Sequence, residues 1–516
     1  MRRAFLTIGE RQLHLRTAGE GPPVVMLHPS PLSSAAVLPM ANELAKHFRV
    51  YALDTPGYGL SDLPSRRPES LHDYLPDFAA ALDALGLGRV CLYGAATGAQ
   101  FAVEFAQRYP DRCALVVLDS AGHIGADECA QTVPHYFPDV KPRFDGAHLA
   151  TTWHMVRELS VFFPWCDARA ARRVERDLPP AALMHSMAIE YLRAGEHYDW
   201  AYRPAFFNEN VDRARRVTVP AVVMRWEASV VLRITDDLID AGLPPNYDVL
   251  RLGPTLADRT GGLLEYLRRH YREPAPTTSP RHAPQPSRLA SRLLELGGAQ
   301  LHLRWREGGG GLPRVVLPSL TQSARVLEPA LAGENSPGPL AVLDPDGCGE
   351  SDPQLPASAS LADHANRLAS AIDALGFDAF ELTGHGAGAG LAVELALQRP
   401  GRVRRLHLAG DPPPDAATRA ALSAGENRDF TPRADGTHLL AAWYQLRDRR
   451  LWLPGRHGLR QGIRPGEPRL DPADIQRELF ELARLGARYA PAREAELNQP
   501  FEARLAEVSC PVDREP

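Results

Sequence analysis

Two pentapeptides that each begin and end with glycine have a residue spacing that is suited to catalysis. They are Gly94-Ala95-Ala96-Thr97-Gly98 and, 290 residues later, Gly384-His385-Gly386-Ala387-Gly388. Each follows an apolar strand-like run and precedes a helix-like run. Such glycines permit a sharp turn that lifts the central side chain above a sheet, where a serine, cysteine or aspartate can attack a carbonyl or epoxide carbon. The N–H groups of the following helix stabilise the negative charge that develops.

Neither pentapeptide has a nucleophile at its centre. Ala96 presents a methyl group and Gly386 presents no side chain at all. On a sharp turn, the side chains of the neighbours Thr97 and His385 point away from the position of the central side chain. That Thr97 acts as a substitute nucleophile is therefore a weaker hypothesis than the absence of a nucleophile. The flanking glycines still predict that the backbone turn is kept.

The elements around these motifs occur twice along the chain. Residues 53–62 match residues 343–352, and 142–153 match 432–443, both at the same offset of 290 as the pentapeptides. QLHLR also recurs, at 12–16 and at 300–304. Matches at one offset predict a tandem duplication.

The predicted domains are residues 1–272 and 288–516, joined by a Pro-rich linker at 273–287. Each alternates short apolar runs with amphipathic runs, which favours a mostly parallel sheet covered by helices on both faces. Pro76 interrupts the first of these predicted helices.

The pentapeptides, the LDTPGYGLSD turn and the His28-Pro29 loop resemble the α/β-hydrolase family, in particular its capped epoxide-hydrolase- and lipase-like members. The resemblance implies an α/β fold class with two tandem doubly wound sheets, the second incomplete at its C-terminal end. It also implies helical caps at about 123–216 and 411–507.

The same resemblance locates the acid and the base of a catalytic triad in the first copy. Ser229 stands at the acid position, with Glu227 as a shifted alternative, and Pro254 stands where the histidine is expected. Proline has no titratable group, so no general base is predicted there. No member of the triad is intact.

The second copy aligns Val508–Pro511 with Val217–Pro220, shortly before the sequence ends. We expect counterparts of the acid, the base, the last strand and the last helix to be absent. The exposed sheet edge would then be covered by the first copy or by a homodimer partner. A truncated gene is the alternative.

Several further residues are pocket candidates. His28 and Pro29 lie in the loop that the resemblance assigns to an oxyanion-hole N–H, although a structural role for His28 is the alternative. The repeated pattern Asp-Gly-x-His followed by Trp indicates either a ligand pocket or a capped helix whose Trp packs inside the cap. The pocket candidates together are His28, Pro29, Thr97, His148, Trp153, His385, His438 and Trp443.

Composition excludes several classes of protein. A net charge of −5 does not favour binding to nucleic acid, and no apolar run is long enough to span a membrane. The N-terminal residues lack the apolar core of a secretory signal. Six cysteines without paired spacing predict reduced thiols, a cytoplasmic location, and neither a metal site nor a cofactor.

Three functions follow from these observations. The leading hypothesis is a catalytically degenerate hydrolase-fold protein that retains an apolar ligand pocket or serves as a scaffold. The second is an active hydrolase of esters, epoxides or similar small apolar substrates that uses displaced residues. The third is a truncated or decaying gene product.

Overall fold

A computed structural model describes residues 1–276, 287–331, 333, 337–410, 416–425, 429–453 and 457–515. It divides into two compact units, Met1–Lys141 with His148–Pro284, and Pro142–Ala147 with Gln285–Pro516. Most of the predicted linker, residues 277–286, lies outside the described residues. The predicted domain limits therefore stay predictions.

The first unit is built on one eight-stranded sheet in the order β1-β2-β4-β3-β5-β6-β7-β8. The pairs β1-β2 and β2-β4 are antiparallel, and all the other pairs are parallel. The strands are β1 (Arg2–Ile8), β2 (Arg11–Ala18), β3 (Pro23–Leu27), β4 (Arg49–Leu53), β5 (Val90–Ala95), β6 (Cys113–Asp119), β7 (Ala221–Trp226) and β8 (Tyr247–Leu252).

Helices connect these strands and cover the sheet. They are α1 (Leu38–Leu44), α2 (Leu75–Ala84), α3 (Thr97–Arg108), α4 (Ala126–Tyr136), α5 (Ala147–Glu158), α6 (Ala181–Ala194), α7 (Tyr202–Asn208), α8 (Val211–Ala214), α9 (Leu232–Asp240) and α10 (Leu256–His270). The central strands β3 and β5 are buried along their whole length because helices lie on both sides.

Pro76 does not break the first predicted helix. Residues Leu71–Tyr74 form a 3₁₀ turn, and α2 begins at Leu75 with the proline in its first turn. A proline in that position loses no hydrogen bond, because the first N–H groups of a helix have no partner inside it.

The second unit repeats this plan with a seven-stranded sheet in the order β15-β14-β13-β11-β12-β10-β9. Its strands are β9 (Ala290–Leu296), β10 (Ala299–Arg306), β11 (Arg314–Leu317), β12 (Leu340–Leu343), β13 (Phe380–His385), β14 (Val403–Ala409) and β15 (Val512–Glu515). Its helices are α11 (Ala324–Leu331), α12 (Leu361–Ala374), α13 (Gly388–Gln398), α14 (Ala416–Gly425), α15 (Thr437–Asp448), α16 (Pro472–Leu485), α17 (Tyr489–Leu497) and α18 (Phe501–Leu505).

The last residues of the second unit form a strand. β15 pairs in parallel with β14, from Val512 opposite Leu406 to Glu515 opposite Ala409. The second sheet therefore has a counterpart of β7, whereas the described residues contain no counterpart of β8.

A helical segment is inserted after the sixth strand of the first unit. It comprises α4 to α8, and its interior is aromatic: the Tyr136 ring lies within contact distance of the rings of Phe137, Trp165, Tyr202 and Phe206. The hydroxyl of the buried Tyr136 lies 2.8 Å from that of the partly buried Tyr202, so the polar ends of the two rings satisfy each other.

Among the described residues, no helix is both long and apolar enough to cross a bilayer.

Candidate functional site

The turn between β5 and α3 has the strained backbone of a nucleophile elbow. Ala96 lies at its apex with φ 50° and ψ −115°. An L-residue other than glycine adopts such a conformation only where the surrounding structure enforces it. A Cβ on Gly94 would lie 2.1 Å from the carbonyl oxygen of Gly98, and one on Gly98 would lie 2.3 Å from that of Leu27. The glycines are therefore required by close backbone approach.

The second unit has the same turn between β13 and α13. Gly386 is at its apex with φ 56°, and a Cβ built on it would meet no atom of the residues that the structure describes within 4 Å. A Cβ on Gly388 would lie 2.5 Å from the carbonyl oxygen of Leu317. The bend is thus tightly packed at its base and open at its apex. A nucleophilic side chain would have space there, but glycine supplies none.

Two backbone N–H groups of the first unit occupy the positions that form an oxyanion hole in this type of site. One belongs to Thr97, which follows the apex, and the other to Ser30, in the loop after β3. Neither N–H donates a hydrogen bond to any residue in the described part of the chain. Both remain available to an oxygen atom placed above Ala96.

The predicted acid position is occupied by a buried hydroxyl. Ser229 follows β7, and its Oγ lies 3.2 Å from Oγ of Ser120 and accepts a hydrogen bond from the Val231 N–H at 3.3 Å. Glu227, the shifted alternative, is exposed. The serine is therefore engaged in local bonds and carries no charge with which to orient a histidine.

The predicted base position is an exposed proline. Pro254 lies between β8 and α10, and the next residue, Thr255, caps α10 through the N–H of Asp258 at 3.0 Å. The segment after the last strand thus serves to begin a helix. It presents no imidazole at this position.

The end of β6 carries a buried charge that the sequence analysis missed. Asp119 is fully buried, and its Oδ2 accepts a hydrogen bond from the Tyr93 hydroxyl at 2.6 Å and one from Arg259 Nε at 2.9 Å. Its carbonyl oxygen also accepts the N–H of Ala96 at 2.9 Å, so this carboxylate is directly next to the elbow. Burial raises the pKa of Tyr93 well above its ordinary value, and the nearby Asp119 raises it further. No spacing in the sequence linked residues so far apart.

His28 organises the loops below the elbow. Its Nε2 accepts the Thr55 N–H at 2.9 Å, and its Nδ1 donates to the carbonyl oxygen of Pro29 at 2.8 Å. Burial lowers the pKa of His28, which favours this neutral form. With both ring nitrogens engaged, the imidazole has no lone pair left to accept a proton from a substrate.

A second buried histidine, missed at the sequence level, occurs in both units. His14 Nδ1 lies 2.8 Å from Oδ2 of Asp54, and His302 Nδ1 lies 2.7 Å from Oδ2 of Asp344. Burial alone would raise the pKa of Asp54, but His14, His28 and hydrogen bonding outweigh burial and lower it. The signal was present in the repeated QLHLR segments, where a histidine lies between two leucines of a buried strand.

The candidates in the helical segments are buried side chains. His148 and Trp153 lie on α5, and His438 and Trp443 on α15, all at most 4 % exposed. His438 Nδ1 accepts the Arg433 N–H at 3.2 Å and thereby fixes the turn before α15. Their role in a ligand pocket stays a prediction.

His385 and Thr97 lie next to the two apices. His385 ends β13, half-buried, and its ring lies about 3.6 Å from where a Cβ on Gly410 would be. Burial lowers its pKa. Thr97 is buried at the start of α3.

A buried carboxyl lies beside the first turn of α3. Glu209 Oε2 accepts the Gly122 N–H at 2.7 Å, and Asn208 donates to Gln100 at 2.9 Å. Burial raises the pKa of Glu209 to about 8, against the lowering effects of the Gly122 N–H and Gln100. No pattern in the sequence predicts this buried group, because a glutamate after a short helix is ordinarily exposed.

The described residues contain no cluster of three or more His, Cys, Asp or Glu side chains placed to bind a metal ion.

Comparison with known proteins identifies the family. Residues 22–176 and 340–456, together more than half of the chain, match the alpha/beta hydrolase fold family. The chain therefore belongs to that family. Two matched segments are consistent with a tandem arrangement.

Individual relatives match one segment only. A 2-hydroxy-6-oxo-2,4-heptadienoate hydrolase from Pseudomonas putida is 34 % identical over 119 residues, 22 % of this chain and 42 % of the relative. A pimeloyl-[acyl-carrier protein] methyl ester esterase from Nitrosospira multiformis is 31 % identical over 115 residues, 22 % of this chain and 43 % of the relative. The chain spans less than half the length of these curated relatives.

Two solved hydrolase structures align with about half of this chain. An epoxide hydrolase mutant from Vigna radiata has a TM-score of 0.41 at 18 % identity and covers 52 % of this chain and 98 % of its own. A hydrolase from Pseudomonas aeruginosa has a TM-score of 0.39 at 20 % identity, with coverages of 51 % and 98 %.

Proposed function

We propose that this chain is a hydrolase-fold protein that has lost nucleophilic catalysis and binds a small apolar ligand through a carbonyl or carboxylate oxygen at the first elbow. The observation that carries the proposal is the apex itself. Ala96 keeps the strained geometry of a nucleophile, φ 50°, with a methyl group that cannot form a bond to substrate.

The rest of the reaction machinery is replaced in the same unit. A hydrolase of this design needs a base to take the proton of its nucleophile and an acid to orient that base. Pro254 and Ser229 stand at those positions and can do neither. Loss of the nucleophile alone removes the route through a covalent intermediate, and without a base and an acid no neighbouring hydroxyl is activated in its place.

The binding half of the site is retained. The N–H groups of Ser30 and Thr97 have no acceptor in the described residues, and an unpaired backbone donor favours an oxygen ligand. These two donors favour a ligand with an oxygen atom at one end.

The first experiment tests the loss of catalysis. Wild type is treated with a fluorophosphonate probe and assayed on a panel of p-nitrophenyl esters. We expect neither labelling nor turnover above the rate of an Ala96→Leu control, whose larger side chain fills the space over the elbow. Labelling of wild type that Ala96→Leu or Thr97→Val abolishes would overturn the proposal.

Restoring the missing groups tests the retained geometry. Ala96→Ser alone is expected to give little turnover because no base is present, whereas Ala96→Ser with Pro254→His should give measurable ester hydrolysis. Strong activity from the single change would show that another base faces the elbow.

Ligand binding is tested separately by thermal unfolding with butyrate and benzoate. We expect a rise in Tm for wild type that is absent in Ala96→Leu. Equal shifts in the two proteins would contradict binding at the elbow.

A further inference from the structure

In the second unit, a carboxylate accepts a hydrogen bond from the backbone N–H that corresponds to the N–H of Ser30. Glu496 lies on α17, and its Oε1 accepts the Leu320 N–H at 2.5 Å. The offset of 290 between the two copies pairs Leu320 with Ser30. The N–H of that loop contributes to the oxyanion hole in proteins of this fold.

Three groups hold the Glu496 carboxylate. Besides the Leu320 N–H, Arg493 Nη1 lies 3.3 Å from Oε2, and the Ser319 hydroxyl contributes a hydrogen bond. The glutamate side chain is only 3 % exposed. Burial raises the pKa of Glu496, while Arg493, Leu320 and Ser319 lower it. A backbone N–H, a guanidinium and a hydroxyl around one carboxylate form a built anion site.

In the first unit, none of the described residues places a carboxylate on the Ser30 N–H. The alignment of 217–220 with 508–511 has an offset of 291, and this offset pairs Glu496 with Ala205 on α7. Alanine cannot reach a backbone donor. The Ser30 N–H accordingly has no acceptor in the described residues, whereas the Leu320 N–H has one.

We infer that the second unit contains a binding site for a small carboxylate, formed by the Leu320 N–H, the Ser319 hydroxyl and Arg493, and that Glu496 of the same chain fills it. The site takes a carboxylate because its charged contact is a guanidinium and its backbone contact is a donor. While Glu496 occupies the site, an external carboxylate cannot enter. The inference concerns the second unit and does not depend on ligand binding by the first.

Acetate rescue tests the inference on the full-length chain. Glu496→Ala removes a CH₂–COO⁻ group, and acetate has nearly the same size and charge. We expect the Leu320 amide of Glu496→Ala to exchange its hydrogen about fivefold faster than in wild type, since losing about 1 kcal/mol from one hydrogen bond corresponds to that factor. Sodium acetate, but not sodium chloride at the same ionic strength, should restore slow exchange.

Two controls separate the carboxylate from other effects. Glu496→Gln fills the same volume and its amide oxygen can still accept the Leu320 N–H, so its Leu320 amide should exchange more slowly than in Glu496→Ala and should not respond to acetate. Glu494→Ala removes an exposed carboxylate from the same helix and should leave Leu320 exchange unchanged. Hydrogen exchange is read on the peptide that contains Leu320, so acetate bound at the first elbow does not affect the result.

Several outcomes would overturn the inference. One is Leu320 exchange that sodium acetate, but not sodium chloride, slows in wild type, which would mean that Glu496 does not fill the site and which can be measured even if Glu496→Ala fails to fold. Another is exchange in Glu496→Ala that acetate and chloride affect equally. A third is a restoration by acetate that occurs equally in Glu496→Gln.

Discussion

Asp119 and Arg259 form a buried ion pair beside the first elbow, with the guanidinium Nη2 2.7 Å from the carboxylate Oδ2. The pair joins the end of β6 to α10, and Asp119 also bonds through its carbonyl oxygen to Ala96. The side chain of Asp119 is 0 % exposed and that of Arg259 is 21 % exposed. The strand end next to the elbow is therefore fixed by a charge pair rather than prepared for proton transfer.

Breaking this pair should be costly. Arg259→Met leaves Asp119 as an unpaired buried charge, and we expect the first unit to lose about 3–5 kcal/mol of unfolding free energy. Urea unfolding monitored in the first unit measures the loss.

A matched surface pair provides the control for that variant. Arg225 and Asp236 lie on the same unit with side chains 20 % and 37 % exposed, and Arg225→Met should cost at most about 1 kcal/mol. Adding Asp119→Asn to Arg259→Met should recover part of the loss. If the double variant is no more stable than Arg259→Met, the unpaired charge is not the cause.

Glu209 should make the first unit less stable as the pH rises. Its pKa is about 8 in the folded chain and 4.5 as an ordinary glutamate, so the folded state holds a proton that the unfolded state has released between these values. The stabilisation is complete below about pH 4.5 and is lost as the pH rises through 8, with a limiting slope of about 1.4 kcal/mol per pH unit for one proton.

Glu209→Gln tests this linkage. The amide stays neutral and its oxygen can still accept the Gly122 N–H, so the fall in unfolding free energy between pH 4.5 and 8 should flatten. Glu227→Gln, which changes an exposed side chain, should keep the wild-type slope. A slope that Glu209→Gln leaves unaltered would assign the pH dependence to another group.

Ala96→Gly should stabilise the first unit. A non-glycine residue at φ 50° carries strain of about 1–3 kcal/mol, whereas the extra freedom of glycine in the unfolded chain costs about 0.4–1 kcal/mol. We expect a net gain of about 1 kcal/mol in unfolding free energy.

The control for Ala96→Gly is the same substitution on an ordinary helix. Ala182 is exposed on α6, and Ala182→Gly should destabilise by about 1 kcal/mol. Destabilisation of similar size at both positions would mean that the elbow is not strained.

Local sequence determined the elements and the turns between them. The glycine spacing of the two elbows predicted the bend that Ala96 and Gly386 adopt, because close backbone approach excludes any side chain at Gly94 or Gly98. Apolar runs predicted the strands, because a strand that is buried on both faces has no position for a polar side chain. The sequence alone also shows that neither apex residue is a nucleophile.

Tertiary structure alone decided the partners of the buried charges. Tyr93, Asp119 and Arg259 are brought together by strand order, and Glu496 reaches Leu320 across 176 positions of sequence. Periodicity reports which face of an element is apolar, but it does not report which residues from distant elements meet. The pKa of Glu209 likewise depends on how much water the fold removes from it, which composition and spacing do not encode.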